Sequence, residues 1–224
     1  MDPDVVKALT RWPNVPAAYG WLSLTRRGQW RFHPNGEAAK GAAGEPITNE
    51  RITAFIDRNY SCDAAGHWFF QNGPQRAYVR LDAAPFILRY STDAGALVTH
   101  TGEACGTVSH WWLDGTGHLF ATTAIGPCLV DDRELMTVFG DMRLSDSNGV
   151  ASSEQREDNL LSTLSELAPG QSVDVSHRLA SAASPLTRID DDDVASRLAF
   201  VSCPMPPSST SSALSAKIGE PSAR

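Results

Sequence analysis

HWFFQNGPQRAYVRLDAAPFILRY, residues 67–90, reads as strand, turn, strand, corner, strand. His67-Trp68-Phe69-Phe70 is the first apolar run. Asn72-Gly73-Pro74 is a turn signal, because Asn and Gly tolerate positive φ and Pro punctuates the chain. Ala77, Val79 and Leu81 then alternate with Arg76, Tyr78, Arg80 and Asp82, the period of a half-buried strand. Pro85 breaks the run, and Phe86-Ile87-Leu88 opens a third strand. Short strands joined by tight turns predict antiparallel sheet.

The flanking sequence follows the same grammar. Trp21–Leu24 and Gln29–His33 form a hairpin about Arg26-Arg27-Gly28. Further strands are expected at Ala96–Thr101, Thr107–Asp114, His118–Thr123 and Ile125–Val130. Short helices are expected at Asp4–Trp12, at Asn49–Asn59 with Thr48 as its cap, and at Arg133–Phe139 behind Asp131 and Asp132. Pro34–Pro46 reads as a loop. Trp30, Phe55, Trp68 and Phe86 are the expected aromatic core. A weak repeat recurs at Gly28-Gln29-Trp30, Gly66-His67-Trp68 and Gly117-His118-Leu119, although turn glycine followed by strand alternation is generic to hairpins.

Composition divides the chain near Leu144. All six Trp, all four Tyr and every Phe but Phe200 precede it, whereas eighteen Ser follow it and four come before. A segment so poor in aromatics is expected to gain too little from burial to offset its ordering entropy. The expected organisation is an α+β half over 1–84, a β-rich half with a closing helix over 85–144, and a mostly disordered Ser-rich tail over 145–224. Within the tail, Asn159–Leu167 has helical leucine spacing, Asp190–Asp193 reads as a solvated acidic run, and Pro204–Ser215 as low complexity. A net charge of −7 argues against a general nucleic-acid surface. There is no run of transmembrane length, and the first residues lack a signal-peptide core, so a cytoplasmic location without membrane association is expected. Cys62, Cys105, Cys128 and Cys203 contain no CxxC pair and read as free thiols.

Chemistry is harder to find. There is no nucleophile elbow, P-loop, GxGxxG or HExxH. Cys105 lies between His100 and His110, at a spacing that specifies nothing. His67, His100, His110 and His118 match no metal spacing. No cofactor, metal or catalytic residue is therefore assigned. The densest donor set surrounds the first hairpin: Trp68, Asn72, Arg76, Tyr78, Arg80, Asp82 and Arg89 are the candidate ligand-binding residues. Arginine forks suit anionic oxygens, and the rings suit a flat group. The alternative is a solvent-facing strand whose charges pair with one another.

The order Trp21–Leu24, Gly28-Gln29-Trp30, Gly44-Glu45-Pro46-Ile47, His67–Phe70 and Asp82-Ala83-Ala84-Pro85-Phe86 resembles the bacterial domain-of-unknown-function family 1285. The corner is one residue longer here than in that family's pattern. The resemblance implies two related α+β halves, the second similar to a pleckstrin-homology fold. It also implies a small-ligand site between the halves, with a nucleotide-like molecule and a signalling role as candidates, and it supplies no catalytic residues. The reading is a non-enzymatic small-ligand or signalling module. A module that binds a peptide of a protein partner, and an enzyme with an unrecognised site, stay open as alternatives.

Overall fold

The structure is a computed structural model that describes residues 1–145, 153–177 and 183–207. Helix α1 (Pro3–Arg11) leads into β1 (Ala18–Leu24), β2 (Trp30–Phe32) and β3 (Glu45–Pro46). Helix α2 (Glu50–Arg58), β4 (Tyr60–Cys62), β5 (Trp68–Asn72) and β6 (Gln75–Leu81) complete the first half. Then come β7 (Phe86–Ser91), β8 (Ala96–Thr99), β9 (Val108–Leu113), β10 (Leu119–Thr123), β11 (Gly126–Val130), helix α3 (Leu135–Asp141) and β12 (Met142–Leu144). Helix α4 (Ser153–Glu166), β13 (Ser172–His177), β14 (Ser184–Arg188) and α5 (Val194–Arg197) end the succession.

These elements build a six-stranded sheet, β3-β2-β1-β6-β5-β4, and an eight-stranded sheet, β12-β13-β14-β9-β10-β11-β7-β8. The fold is thus sheet with short helices, as the α+β reading expects. The expectation of antiparallel sheets alone is corrected. β1 runs parallel to β6, β7 to β11 and β9 to β14. Each parallel pair joins strands separated by a long excursion of chain, which is the spacing that parallel pairing requires. The decisive hairpin is as read: β5 and β6 pair from Phe69↔Tyr78 to Asn72↔Gln75 about Gly73-Pro74.

The weak repeat has a physical basis in the turns. Four of them share the form Thr/Asp-x-x-Gly-x: Thr25–Gln29, Asp63–His67, Thr99–Glu103 and Asp114–His118. In each, the first residue's backbone bonds to the fifth, and the glycine amide bonds back to the first carbonyl. The first side chain also accepts the fifth residue's N–H, at 3.0, 3.0, 3.1 and 2.7 Å respectively. The four glycines all have positive φ, from 67° to 88°, which a residue bearing Cβ reaches only at a cost.

At α2 the cap is Asn49, whose Oδ1 accepts from the Arg51 and Ile52 amides, and not the expected Thr48. Trp30, Trp68 and Phe86 are buried, as expected, while Phe55 is only half-buried, edge-to-face on Phe70.

The expected disordered tail is the principal correction. β14 pairs with β9 in the middle of the second sheet, β13 follows it, and Leu160, Leu164, Val175, Leu186 and Phe200 enter the core. Beyond α5 the chain returns to the first half. Leu81 donates to the Ser202 carbonyl at 2.7 Å and Val201 to that of Gly66 at 2.9 Å. Aliphatic residues and backbone pairing supply the burial that the missing aromatics do not. Residues 208–215 of the expected low-complexity stretch lie outside the described residues.

Two outcomes follow. A chain ended at Leu144 should fail to give a cooperative melt, since β9 loses its β14 neighbour; in the full chain, Leu186→Ala should cost about 2–5 kcal/mol by urea denaturation. The second concerns Asp131, which is buried at the junction and is bonded by Arg133 at 2.6 and 2.9 Å. Those bonds hold its carboxyl well below the usual carboxylate range, against the opposing effect of burial. A depressed folded pKa contributes stability above the unfolded value of about 3.9 and loses it as pH falls further. Asp131→Asn should therefore lower stability at pH 7 and flatten its decline between about pH 4 and 2, measured by urea titration at each pH.

Candidate functional site

The seven residues expected to bind a ligand do not share one cavity. Trp68 is core, packed on Tyr60 and Phe86 at ring distances of 5.0 Å each. The Arg76 guanidinium lies 4.3 Å over the Phe69 ring. Tyr78 stacks on Tyr19 at 4.7 Å and donates its hydroxyl to Asp63 at 3.2 Å. Arg80 clasps the loop after β2, donating to the Ala38 and Ala42 carbonyls at 2.8 and 3.2 Å, and pairs with Asp82 at 2.7 Å. Arg89 donates to the Arg27 carbonyl and pairs with buried Asp131 at 3.5 Å. The two remaining residues line cavities, but different ones: Asp82 borders a cleft between the sheets and Asn72 borders a groove on the first sheet.

The cleft has a volume of about 460 Å³ and draws on four segments of chain. Arg26 comes from the β1–β2 turn, Asp82 and Ala83 from the link between the sheets, Asp114–Phe120 from the β9–β10 hairpin, and Asp191–Ser202 from the final segment. Leu81, Phe120, Val194 and Phe200 make it apolar below. Its polar centre is built by the Asp114 turn. Asp114 is 4% exposed. Its Oδ1 accepts from the Thr116 and His118 amides and from the Thr116 hydroxyl at 2.7–3.0 Å. Its Oδ2 lies 2.8 Å from His118 Nδ1. A carboxylate can only accept there, so the Nδ1 proton points at Asp114 and Nε2 is left as an acceptor for Arg26, 2.7 Å away. Asp191 accepts the Gly115 amide at 2.8 Å, which brings the acidic run to the cleft mouth.

A carboxylate that orients an imidazole is also the arrangement used for a general base. The same arrangement recurs at Asp63–His67, where the separation is 3.1 Å. The shared turn geometry is enough to account for both.

The groove, of about 510 Å³, lies between α2 and the first sheet. Trp21 and Phe32 are each 42% exposed there and Ile52 is 49% exposed. Asn72 and Gln75 stand at its polar end. Alternation along single strands could not have located either cavity. The Asp-x-x-Gly-His spelling, present twice, was the available signal for His118.

Among the described residues no group of three or more His, Cys, Asp or Glu side chains gathers as a metal site, and no described helix is long and apolar enough to cross a membrane. Comparison with known proteins gives a match over residues 1–205 to the family DUF2944, described as "Protein of unknown function (DUF2946)". No curated protein matches the chain. Among solved structures, a DUF1285 family protein from Silicibacter pomeroyi DSS-3 matches at 15% identity and a TM-score of 0.42, covering 62% of this chain and 78% of that one. That protein belongs to the family whose order of signals the Gly20–Tyr90 segment resembles; a likeness of this degree carries no argument about function.

The turn account of Asp114 has its own test. Asp114→Ala removes an acceptor from two turn amides and should destabilise by about 1.5–3 kcal/mol, the range for bonds to charged groups. Asp63→Ala should fall in the same range by urea denaturation, because it removes the two corresponding turn-amide bonds and the bond to its imidazole.

Proposed function

The chain belongs to the DUF2944 family of proteins of unknown function, and since that membership names no activity, we propose from the cavities that it is a non-enzymatic small-ligand-binding module acting through the cleft between its sheets. The observation that carries this is convergence. Four segments distant in sequence bring a guanidinium, hydroxyl, imidazole and carboxylates over an apolar floor, the composition usual for small-ligand sites, which span about 300–1,000 Å³. Arg26 donates to a neutral imidazole and forms no ion pair among the described residues. Its remaining N–H groups suit an anionic oxygen group, with an apolar body on Phe120 and Phe200. A nucleotide-like molecule with a single phosphate meets that description. A longer phosphate chain would lie against Asp191 and Asp192 and be repelled.

The pleckstrin-homology likeness of the second half belongs to the same proposal. The β9-β10-β11 meander followed by α3 supports it, and the parallel β7–β11 pair departs from it. Cytoplasmic location also belongs here, supported by four cysteines that are all unpaired. A peptide-binding module is the second reading, favoured by the exposed Trp21, Phe32 and Ile52 around one groove.

The test is a thermal-shift screen of the full chain against nucleosides, nucleoside monophosphates and small carboxylates, since binding to the native state raises the melting temperature. For the strongest hit, Arg26→Ala should weaken binding at least tenfold, about 1.4 kcal/mol, with the unliganded melting temperature nearly unchanged. Unchanged affinity would remove the cleft and put the groove ahead, with Ile52→Asp as the variant that decides it.

A further inference from the structure

A smaller cavity, of about 260 Å³, lies where the β1–β2 hairpin, the segment Pro46–Thr48 and α2 meet His100. Half-buried Asp57 is in its wall. Its Oδ1 accepts the Trp30 indole N–H at 2.7 Å. The adjacent cation, Arg58, is turned to Asp2 at 3.2 Å, and Asp57 forms no ion pair among the described residues. Burial raises the carboxyl's pKa, outweighing the Trp30 hydrogen bond and the nearby Arg58 charge, which lower it.

His100 contributes no positive charge to this cavity. Its Nδ1 accepts the Ile87 amide at 3.3 Å, so the ring proton is on Nε2, which is out of solvent and has no partner. Burial and then Arg89 lower its pKa to about 3, so the ring is neutral at physiological pH. Thr53 donates its hydroxyl to the Glu50 carbonyl at 3.1 Å, which leaves the hydroxyl oxygen as a second acceptor. The wall therefore combines a carboxylate without a direct ion pair among the described residues, a hydroxyl acceptor and the Trp30 indole, a set that favours a cation over an anion or a neutral molecule.

We propose that this cavity binds a small organic cation, an ammonium or amidinium on a body of about one ring, whose N–H groups donate to Asp57 and Thr53. A body of that size fits the volume of about 260 Å³. The site is separate from the inter-sheet cleft and does not depend on it.

The probe is benzamidine, with benzamide as its neutral planar counterpart, titrated into the full chain by calorimetry at pH 7. Benzamidine should bind and benzamide should not. Asp57→Asn keeps an oxygen for the Trp30 N–H and should weaken benzamidine at least tenfold, whereas Arg26→Ala and Asp192→Asn in the cleft should leave it unchanged. Thr53→Leu fills the cavity without touching the Trp30–Asp57 bond and should also abolish binding; it decides the matter should Asp57→Asn fail to fold. Absent binding, equal affinity for benzamide, or affinity retained in Thr53→Leu would each overturn the proposal.

Discussion

Tyr60 is the contact on which the two sheets depend. Its ring lies 5.1 Å from Trp30, 5.0 Å from Trp68 and 5.7 Å from Phe86, with His100 at 6.2 Å, and its hydroxyl donates to the Pro85 carbonyl at 3.2 Å. Trp30 and Trp68 belong to the first sheet, Phe86 opens the second, and His100 follows β8. Edge-to-face and tilted packing of such rings is worth roughly 0.5–1.5 kcal/mol per pair beyond area burial. The hydroxyl bond lets a polar tip enter the core without penalty. One continuous core results, running from Leu22 and Val79 through Phe86 to Leu186. The smaller cavity, walled in part by Trp30 and His100, borders this contact.

Around that core the turns set position. The Thr/Asp-x-x-Gly-x form closes each turn by a side-chain acceptor and a left-handed glycine, and three of the four turns bring residues to a cavity, the Thr99 turn with His100 among them. The Thr25 turn carries Arg26 to the cleft, and Gly28 and Gln29 to the smaller cavity. The approach is close: a Cβ on Gly28 would lie 2.5 Å from the His100 Cβ. The Asp114 turn carries His118. An Asp–His pair is thus first a consequence of turn construction, and its chemical use depends on where the fold puts the hairpin.

Arginine placement shows the same dependence on context. Arg80 and Arg89 are donors suited to a ligand, yet Arg80 secures a loop and a neighbouring aspartate, while Arg89 secures a hairpin carbonyl and buried Asp131. Apart from Asp82, these partners lie far away in sequence. Arg26, at a turn tip, is the arginine left with spare donors at a cavity.

The sequence by itself determined the strands and their faces, because alternation and turn residues are local properties: Ala77, Val79 and Leu81 turn inward, and Asn72-Gly73-Pro74 reverses the chain. It could not determine pairing between distant strands, because parallel partners such as β9 and β14 carry no local mark of one another. For that reason the segment after Leu144, judged by its lack of aromatics, was read as disordered, although aliphatic residues and a place in the second sheet order it. The cavities were beyond the sequence for the same reason. A cavity is a shape between elements, and Arg26, Asp57, His100 and His118 face cavities only because the tertiary structure brings distant segments of the chain together.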